Sequence, residues 1–481
     1  MSAMQGIEPK MHLVIYLLQA ILSCYAGAKE DYVYPRILQQ RSAEGNLVLK
    51  VNEKLTLNLE RSKVLADSLL FVTNDEDLHE VEMVDTAHIQ ENIYHDTRYQ
   101  SSLMVRQKEG NVEVEGIVND NLRIKPIPEG ERSAEGQMIH KIFQVDTLEE
   151  NIIKPEPGLL RLRERYDRKN SNGSRKGSDV PESRAARVDK FPVELHVLSD
   201  KVHQKGFKKN DELIAYLAVL TNAVNLRYLD TVSPKISFLL VGVTRVRSHD
   251  FATSDGRDIN ALDSLRGLEA YRNKGSIPGN HDIVYLATGL DIFLINDGRI
   301  MNKGVAGIAN VGAACSTLAV AQGEDTPHAY NGAQTMAHEL AHSLGSPHDE
   351  TPECPWSHGY LMSSVDGGSR NYQLSKCTEK AIRKYLATRS QECFRILSEQ
   401  NYLRNHKRLP GQSVTAQHFC QQLTPKGSKQ KIKAVARKTH DCHLNCCYMK
   451  FGSSSCIKYN MPDGMTCMRG KTCKRGVCSS H

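Results

Sequence analysis

His338, Glu339, His342 and His348 fall within one short stretch, HELAHSLGSPHD, which ends at Asp349. Residues four apart on a helix share a face, so His338 and His342 project side by side as two nitrogen ligands. The segment 336–344, MAHELAHSL, is made of good helix formers. Gly345 can adopt the left-handed conformation that ends a helix, and Pro347 cannot extend one. The chain then turns back and brings in His348 as a third nitrogen ligand. Three neutral imidazoles fill three corners of a zinc tetrahedron and leave the fourth to water, which distinguishes a catalytic zinc from a closed structural one. Glu339, adjacent to the first ligand, is positioned to act on that water as general base and to carry the proton to a leaving amine. Asp349 is expected behind a ligand, orienting it. The combination predicts peptide-bond hydrolysis with Zn2+ as cofactor and no covalent intermediate.

Such a constellation needs a layered scaffold, and the pattern from residue 191 onward supplies one. Residues 193–200, VELHVLSD, read as a strand, and 211–229 have helical apolar spacing with Asn210 as N-cap. A buried strand follows at 236–246, then a helix near 259–271 and strands within 282–293 and 304–315. This alternation predicts an α/β layer architecture with one core over residues 188–400. Residues 29 to about 155 alternate short β-branched runs with charge, as in NLVLKVNEKLTLNLE, and are expected to be β-rich. Between the two lies 161–189, a charged linker rich in Ser, Gly and Arg. It carries an N-glycosylation sequon at Asn172 and two Arg-x-x-Arg pairs, Arg165/Arg168 and Arg184/Arg187, suited to a processing protease.

The chain has 481 residues and a net charge of +6, and a prior of roughly 150 residues per domain suggests about three folded units. Residues 13–22, LVIYLLQAIL, form an apolar run followed by small residues at Ala26 and Ala28, the pattern of a signal peptide over 1–28. That run is too short to span a bilayer, and no later run approaches spanning length. A secreted, extracellular protein with no membrane anchor is expected. Of the 13 cysteines, all but Cys24 lie at or beyond Cys315, an even set suited to disulfides in an oxidising compartment. Their pairing does not follow from spacing.

Between Cys420 and His481 twelve Lys and Arg stand against two Asp. So basic a segment, 401–481, with little apolar content, must be held by cross-links because its core is too small. Its charge suits sulfated glycosaminoglycans or acidic protein surfaces, a plain solvated surface would explain it equally, and nucleic acid is not expected outside the cell. The competing functional class is a binding protein acting through this tail, with the preceding fold as scaffold. The intact set His338, Glu339, His342 and His348 argues for the hydrolase instead.

The pattern HExxHxxGxxH, followed by Met362 in HGYLMSS, resembles the metzincin metalloproteases. That resemblance implies a metzincin catalytic domain over 188–400, a mixed twisted sheet with helices and zinc in the cleft, with Met362 packed beneath the zinc-binding histidines. Asp349 after the third histidine is similar to the adamalysin or reprolysin branch, which includes snake-venom and ADAM proteases. There the segment 304–315 would hold the edge strand that pairs with extended protein substrates. Cys315 would pair with Cys393, and Cys354 with Cys377. The branch also has a calcium site: Glu194, Asp282 and the Cys393 carbonyl match it, while its fourth position falls on Ile396, which offers no side-chain oxygen for Ca2+. Residues 29–187 resemble the branch's propeptide but contain no cysteine. Latency through a thiol on the zinc is thereby excluded, and a carboxylate, a histidine or steric blockage would have to serve. The small disulfide-rich domain 401–481 resembles the disintegrin-like module of ADAMTS proteases and has no Arg-Gly-Asp. The whole layout is most similar to tick salivary reprolysins, which implies host blood or matrix proteins, such as fibrinogen-like targets, as substrates.

Overall fold

A computed structural model describes residues 30–145, 188–398 and 415–479, apart from 42–45, 76–77, 109, 248–255, 297–298, 303, 423–433, 439–441, 451–452, 462–463 and 475–476. The expected leader 1–28 and the linker's sequon and arginine pairs lie outside the described residues. Compactness divides the chain into two units, Met1–Arg61 with Asn92–Thr147, and Ser62–Glu91 with Leu148–His481.

Strict alternation of apolar and polar residues builds the first unit. In Thr56–Arg61, Leu57 and Leu59 are buried while Thr56, Asn58 and Glu60 face outward. The result is an antiparallel nine-stranded sheet in the order Asp31–Val33, His140–Gln144, Leu122–Pro126, Asn111–Ile117, Ser101–Lys108, Ile93–Asp96, Thr56–Arg61, Asn46–Lys50, Arg36–Arg41. Its inward leucines pack with Val105, Val114 and Ile124. His140 is locked into this core as an acceptor: the Val114 N–H donates to its Nε2 (2.9 Å), and its Nδ1–H donates to the Met138 carbonyl (3.0 Å). Burial pushes its pKa down to about 4.

The second unit rests on a seven-stranded mixed sheet. Its strands are β1 (Leu65–Asp75), β2 (Leu78–Asp85), β3 (Lys190–Ser199), β4 (Lys235–Val246), β5 (Ile283–Thr288), β6 (Gly307–Ala309) and β7 (Val320–Glu324), in the spatial order β6-β7-β5-β3-β4-β1-β2. The five inner strands run parallel, and the two edge strands, β6 and β2, run antiparallel to their neighbours. Strands covered on both faces read as unbroken apolar runs, and β5, IVYLAT, is buried throughout. Among the described residues four helices of eleven or more residues accompany the sheet: α1 (Asn210–Arg227), α2 (Ala261–Asn273), α3 (Ala333–Ser343) and α4 (Lys376–Leu386). α1 is buried on nearly all sides because it packs against both β4 and α3.

The α/β layering matches the sequence reading, and several local expectations do not. Asn210 is the first helical residue of α1 rather than its cap. Its Oδ1 accepts from Arg245 Nε (3.0 Å) and its Nδ2 donates to Glu82 Oε1 (3.1 Å), so Glu212 does the capping by accepting from the Lys208 and Lys209 amides. Residues 282–293 are two strands: after β5 the chain breaks, and Asp291–Asn296 joins a separate small sheet with Asp258–Asn260 and Arg299–Asn302. Within 304–315 the strand is only the three residues of β6, flanked by single bonds from Ala306 and Asn310 to β7, because the following residues turn away to cap a helix. β1 and β2, from the strand-rich N-terminal region, join the sheet built by residues beyond 188.

The C-terminal segment has a helix, Ala416–Gln422, and two three-stranded sheets. Four disulfides cross-link it: Cys420–Cys446, Cys442–Cys473, Cys447–Cys456 and Cys467–Cys478. Its core is largely sulfur, with Cys442, Cys446, Cys473, Met461 and Met465 around Leu444, as a domain with too few apolar residues requires. Among the described residues no helix is long and apolar enough to cross a membrane.

Candidate metal centre

α3 presents His338 and His342 one turn apart, their ring centroids 4.8 Å from each other. The helix stops at Gly345, whose φ of +101° and contact with Tyr385 exclude a side chain: a Cβ there would lie 2.4 Å from Tyr385 Cβ. The reversal carries His348 over the helix, and its Nε2 lies 3.1 Å from Nε2 of both His338 and His342. Behind the centre, His338 Nδ1–H donates to the Leu361 carbonyl (2.8 Å) and His342 Nδ1–H to the Ser346 carbonyl (2.7 Å). Carbonyls only accept, so both rings carry the proton on Nδ1 and a bare lone pair on Nε2.

Burial, reinforced by the neighbouring imidazoles, depresses His338 to about 3 and His342 well below the ordinary range. Burial lowers His348 as well. All three rings are therefore neutral at physiological pH. The two bare lone pairs are turned toward His348 Nε2 at 3.1 Å, an arrangement that a cation among the three nitrogens would satisfy. The separation is close to that of three tetrahedral corners about 2.0–2.1 Å from a zinc ion. The donor set fits zinc.

Glu339 is 6% exposed, and its Oε2 has no hydrogen-bond partner. Burial pushes its carboxyl up to about 8, and the charge of a bound cation draws it down again. β6 passes beside it as bare backbone: a Cβ on Gly307 would lie 2.8 Å from Glu339 Cγ and 2.7 Å from Thr335 Cγ2. Met362 is fully buried, next to the Leu361 carbonyl that holds His338.

Asp349 does not do what its position suggests. Its Oδ1 accepts from Ser375 Oγ (2.6 Å) and Thr378 Oγ1 (3.2 Å) at the start of α4, and its amide donates to the Met362 carbonyl (3.0 Å). It anchors the His348 segment to α4, while the Leu361 and Ser346 carbonyls orient the other two rings. Sequence reasoning missed those carbonyls because no residue type announces them.

Both ends of α3 are fastened. At its C-terminus the Gly312 amide donates to the His342 carbonyl, and the Ala313 and Ala314 amides donate to the Ser343 carbonyl, each at 2.9 Å. At its N-terminus Asp325 Oδ1 accepts from the Gly332 amide (2.8 Å), and Oδ2 accepts from Tyr216 OH (2.6 Å) and lies 2.9 Å from His203 Nε2. Ser199 Oγ completes a Ser-His-Asp row, 2.7 Å from His203 Nδ1. The side chains of His203 and Asp325 are only 0% and 2% exposed, so no substrate reaches the row and it acts as a strut.

Cys315 bonds to Cys393, and Cys354 to Cys377. At the expected calcium position two carboxylates already accept backbone amides. Glu194 Oε1 is taken by the Leu397 (2.9 Å) and Ser398 (2.6 Å) amides, and Asp282 Oδ2 by the Glu194 amide (2.8 Å). Burial raises the Asp282 carboxyl to about 7.

Residues 191–396 match the reprolysin (M12B) family of zinc metalloproteases. The chain is 26% identical over 411 residues to venom metalloproteinase antarease TserMP_A of Tityus serrulatus, covering 79% of this chain and 97% of that protein. It is 25% identical over 398 residues to venom metalloproteinase BumaMPs1 of Olivierus martensii, covering 79% and 95%. A Bombyx mori protein named as a disintegrin and metalloproteinase with thrombospondin motifs like is 25% identical over 455 residues, covering 80% of this chain and 64% of its own length. Residues 191–396 are thus a metzincin domain of the reprolysin family, and the chain is a zinc metalloendopeptidase of that type.

Proposed function

We propose that the protein is a secreted endopeptidase in which His338, His342 and His348 hold the zinc and Glu339 is the general base. The observation that carries this assignment is the approach of His348 Nε2 to 3.1 Å from Nε2 of both His338 and His342, on the helix that also carries Glu339, whose buried Oε2 has no hydrogen-bond partner. Zinc bound there supplies Lewis-acid polarisation of the scissile carbonyl and makes a water acidic enough to attack near neutral pH. The Leu361 and Ser346 carbonyls keep two rings in the tautomer that turns Nε2 inward. Glu339 Oε2 takes the proton from the attacking water and delivers it to the leaving amine nitrogen. β6, at the sheet edge against Glu339, takes an extended substrate by strand addition. Full burial supports reading Met362 as the floor beneath the rings.

Residues 29–187 act as a propeptide cut within the linker, 188–400 as the catalytic domain and 401–481 as a disintegrin-like tail. The leader and the six disulfides support export to an oxidising compartment. The venom relatives support extracellular substrates such as blood or matrix proteins. Exposed Lys458, Arg469 and Lys471 support attraction of the tail to sulfated glycosaminoglycans or acidic surfaces.

Glu339→Gln tests the assignment. Cleavage of a denatured protein should fall by about 10²–10⁴-fold, with secretion and zinc content unchanged from the parent. Full activity in this variant would remove Glu339 from the chemistry and favour a binding protein that works through its tail.

A further inference from the structure

The match to the protease family begins at residue 191, yet the sheet carrying the metal centre includes a hairpin from more than a hundred residues earlier in the chain. β1 lies inside that sheet, between β4 and β2. It pairs in parallel with β4 from Gly242↔Leu70 to Val246↔Asn74, and again at Leu240↔Leu65. Further amide bonds close both ends, Leu240 N–H to the Val64 carbonyl and Arg247 N–H to the Asn74 carbonyl, each 2.8 Å. Leu65, Leu69, Phe71 and Val72 are at most 1% exposed, the burial of core residues rather than of a removable cover.

Side chains extend the join beyond the strand pair. The Asn74 amide donates to Tyr271 OH and to the Ser276 carbonyl, tying β1 to the end of α2. Glu82 of β2 accepts from Asn210, and His88 lies 3.3 Å from Asp211, both at the start of α1. Taking the hairpin away would open a full edge of unpaired amides and carbonyls along β4 and bare apolar side chains beside it. In the strand order, β1 and β2 lie at the end opposite β6 and Glu339, so the hairpin is not seated on the substrate edge.

We propose that residues 62–91 are a permanent strand partner of the protease sheet, so that a cut in the linker leaves the N-terminal fragment seated on β4 and the processed enzyme is a noncovalent two-chain protein. This goes beyond the assignment of the zinc centre, and it stands or falls without it.

The test uses the full chain with a site for a sequence-specific protease inserted between Gly177 and Ser178. After complete cutting, gel filtration in native buffer should give one peak containing both fragments, which separate only in denaturant. Amide hydrogen exchange on that peak should show 242–246 and 70–74 protected as in the uncut chain. Two peaks in native buffer overturn the proposal, whether or not the larger fragment stays soluble. Co-elution with 70–74 exchanging freely also overturns it, because the fragments would then be holding together through another surface.

Discussion

At Gly307 the edge strand runs so close to Glu339 that even a methyl group would lie 2.8 Å from its Cγ. Gly307→Val should therefore push the glutamate aside without touching a histidine. The expected outcome is a fall in kcat of about 10²-fold, the usual consequence of misplacing a catalytic group by about 1 Å. Metal analysis should show the parent's zinc content, and an unchanged kcat would mean that Glu339 has room to spare. The histidines and the glutamate were legible in the sequence because their side chains have few other uses at that spacing. Gly307 was not, since its importance lies in what passes beside it. The same holds for Leu361 and Ser346, whose carbonyls act while their side chains say nothing.

Among the elements, α3 depends on partners distant in the chain. Asp325→Ala would leave buried His203 and Tyr216 without their shared acceptor and free the Gly332 amide, a loss on the order of 3–5 kcal/mol. Urea unfolding should show this as a lower midpoint, and a midpoint within error of the parent would contradict the strut. The helix itself could be read from its periodicity, whereas the strut joins residues 122 positions apart, and no local pattern reports it.

In the N-terminal sheet, His140 is fully buried and so resists protonation, with its Nε2 accepting the Val114 amide. Its folded pKa is about 4, below an unfolded value of about 6.5. Its contribution is complete above about 6.5 and is lost as pH falls from there towards about 4, by about 3 kcal/mol. Unfolding midpoints of this sheet should drop across that window, and His140→Gln should flatten the drop. A slope unchanged by the substitution would assign the pH response to other groups.

For the whole molecule, the charge distribution and the cysteine distribution already marked off a basic, cross-linked tail. Pairing was hidden, because it depends on which sulfurs the two small sheets bring together. Also hidden was the division between the N-terminal region and the protease sheet: β1 and β2 read as strands like their neighbours, and strand character does not reveal which sheet a strand will join. Metal dependence belongs at this scale. Chelation should abolish activity and lower the melting temperature by roughly 10 °C, and added zinc should restore both. Millimolar calcium should move the melting temperature by less than about 1 °C, since Glu194 and Asp282 each already give one oxygen to amides and Ile396 offers none. A clear upward shift would reinstate a calcium site.

The three amides that Gly312, Ala313 and Ala314 give to the end of α3 make one wall of the cleft behave as a single stiff jaw, because the strand that would grip a peptide and the helix that carries two of the rings cannot slide independently. The loop 355–364, which holds His338 through the Leu361 carbonyl, makes a second jaw, pinned by the Cys354–Cys377 bond at one end and by the Asp349 amide on the Met362 carbonyl at the other, with Trp356 standing 48% exposed between them. Adaptation to differently shaped peptides then falls to that second jaw. Substitutions there should retune which bonds are cut, while equally mild ones at 312–314 should slow the cutting of every bond alike.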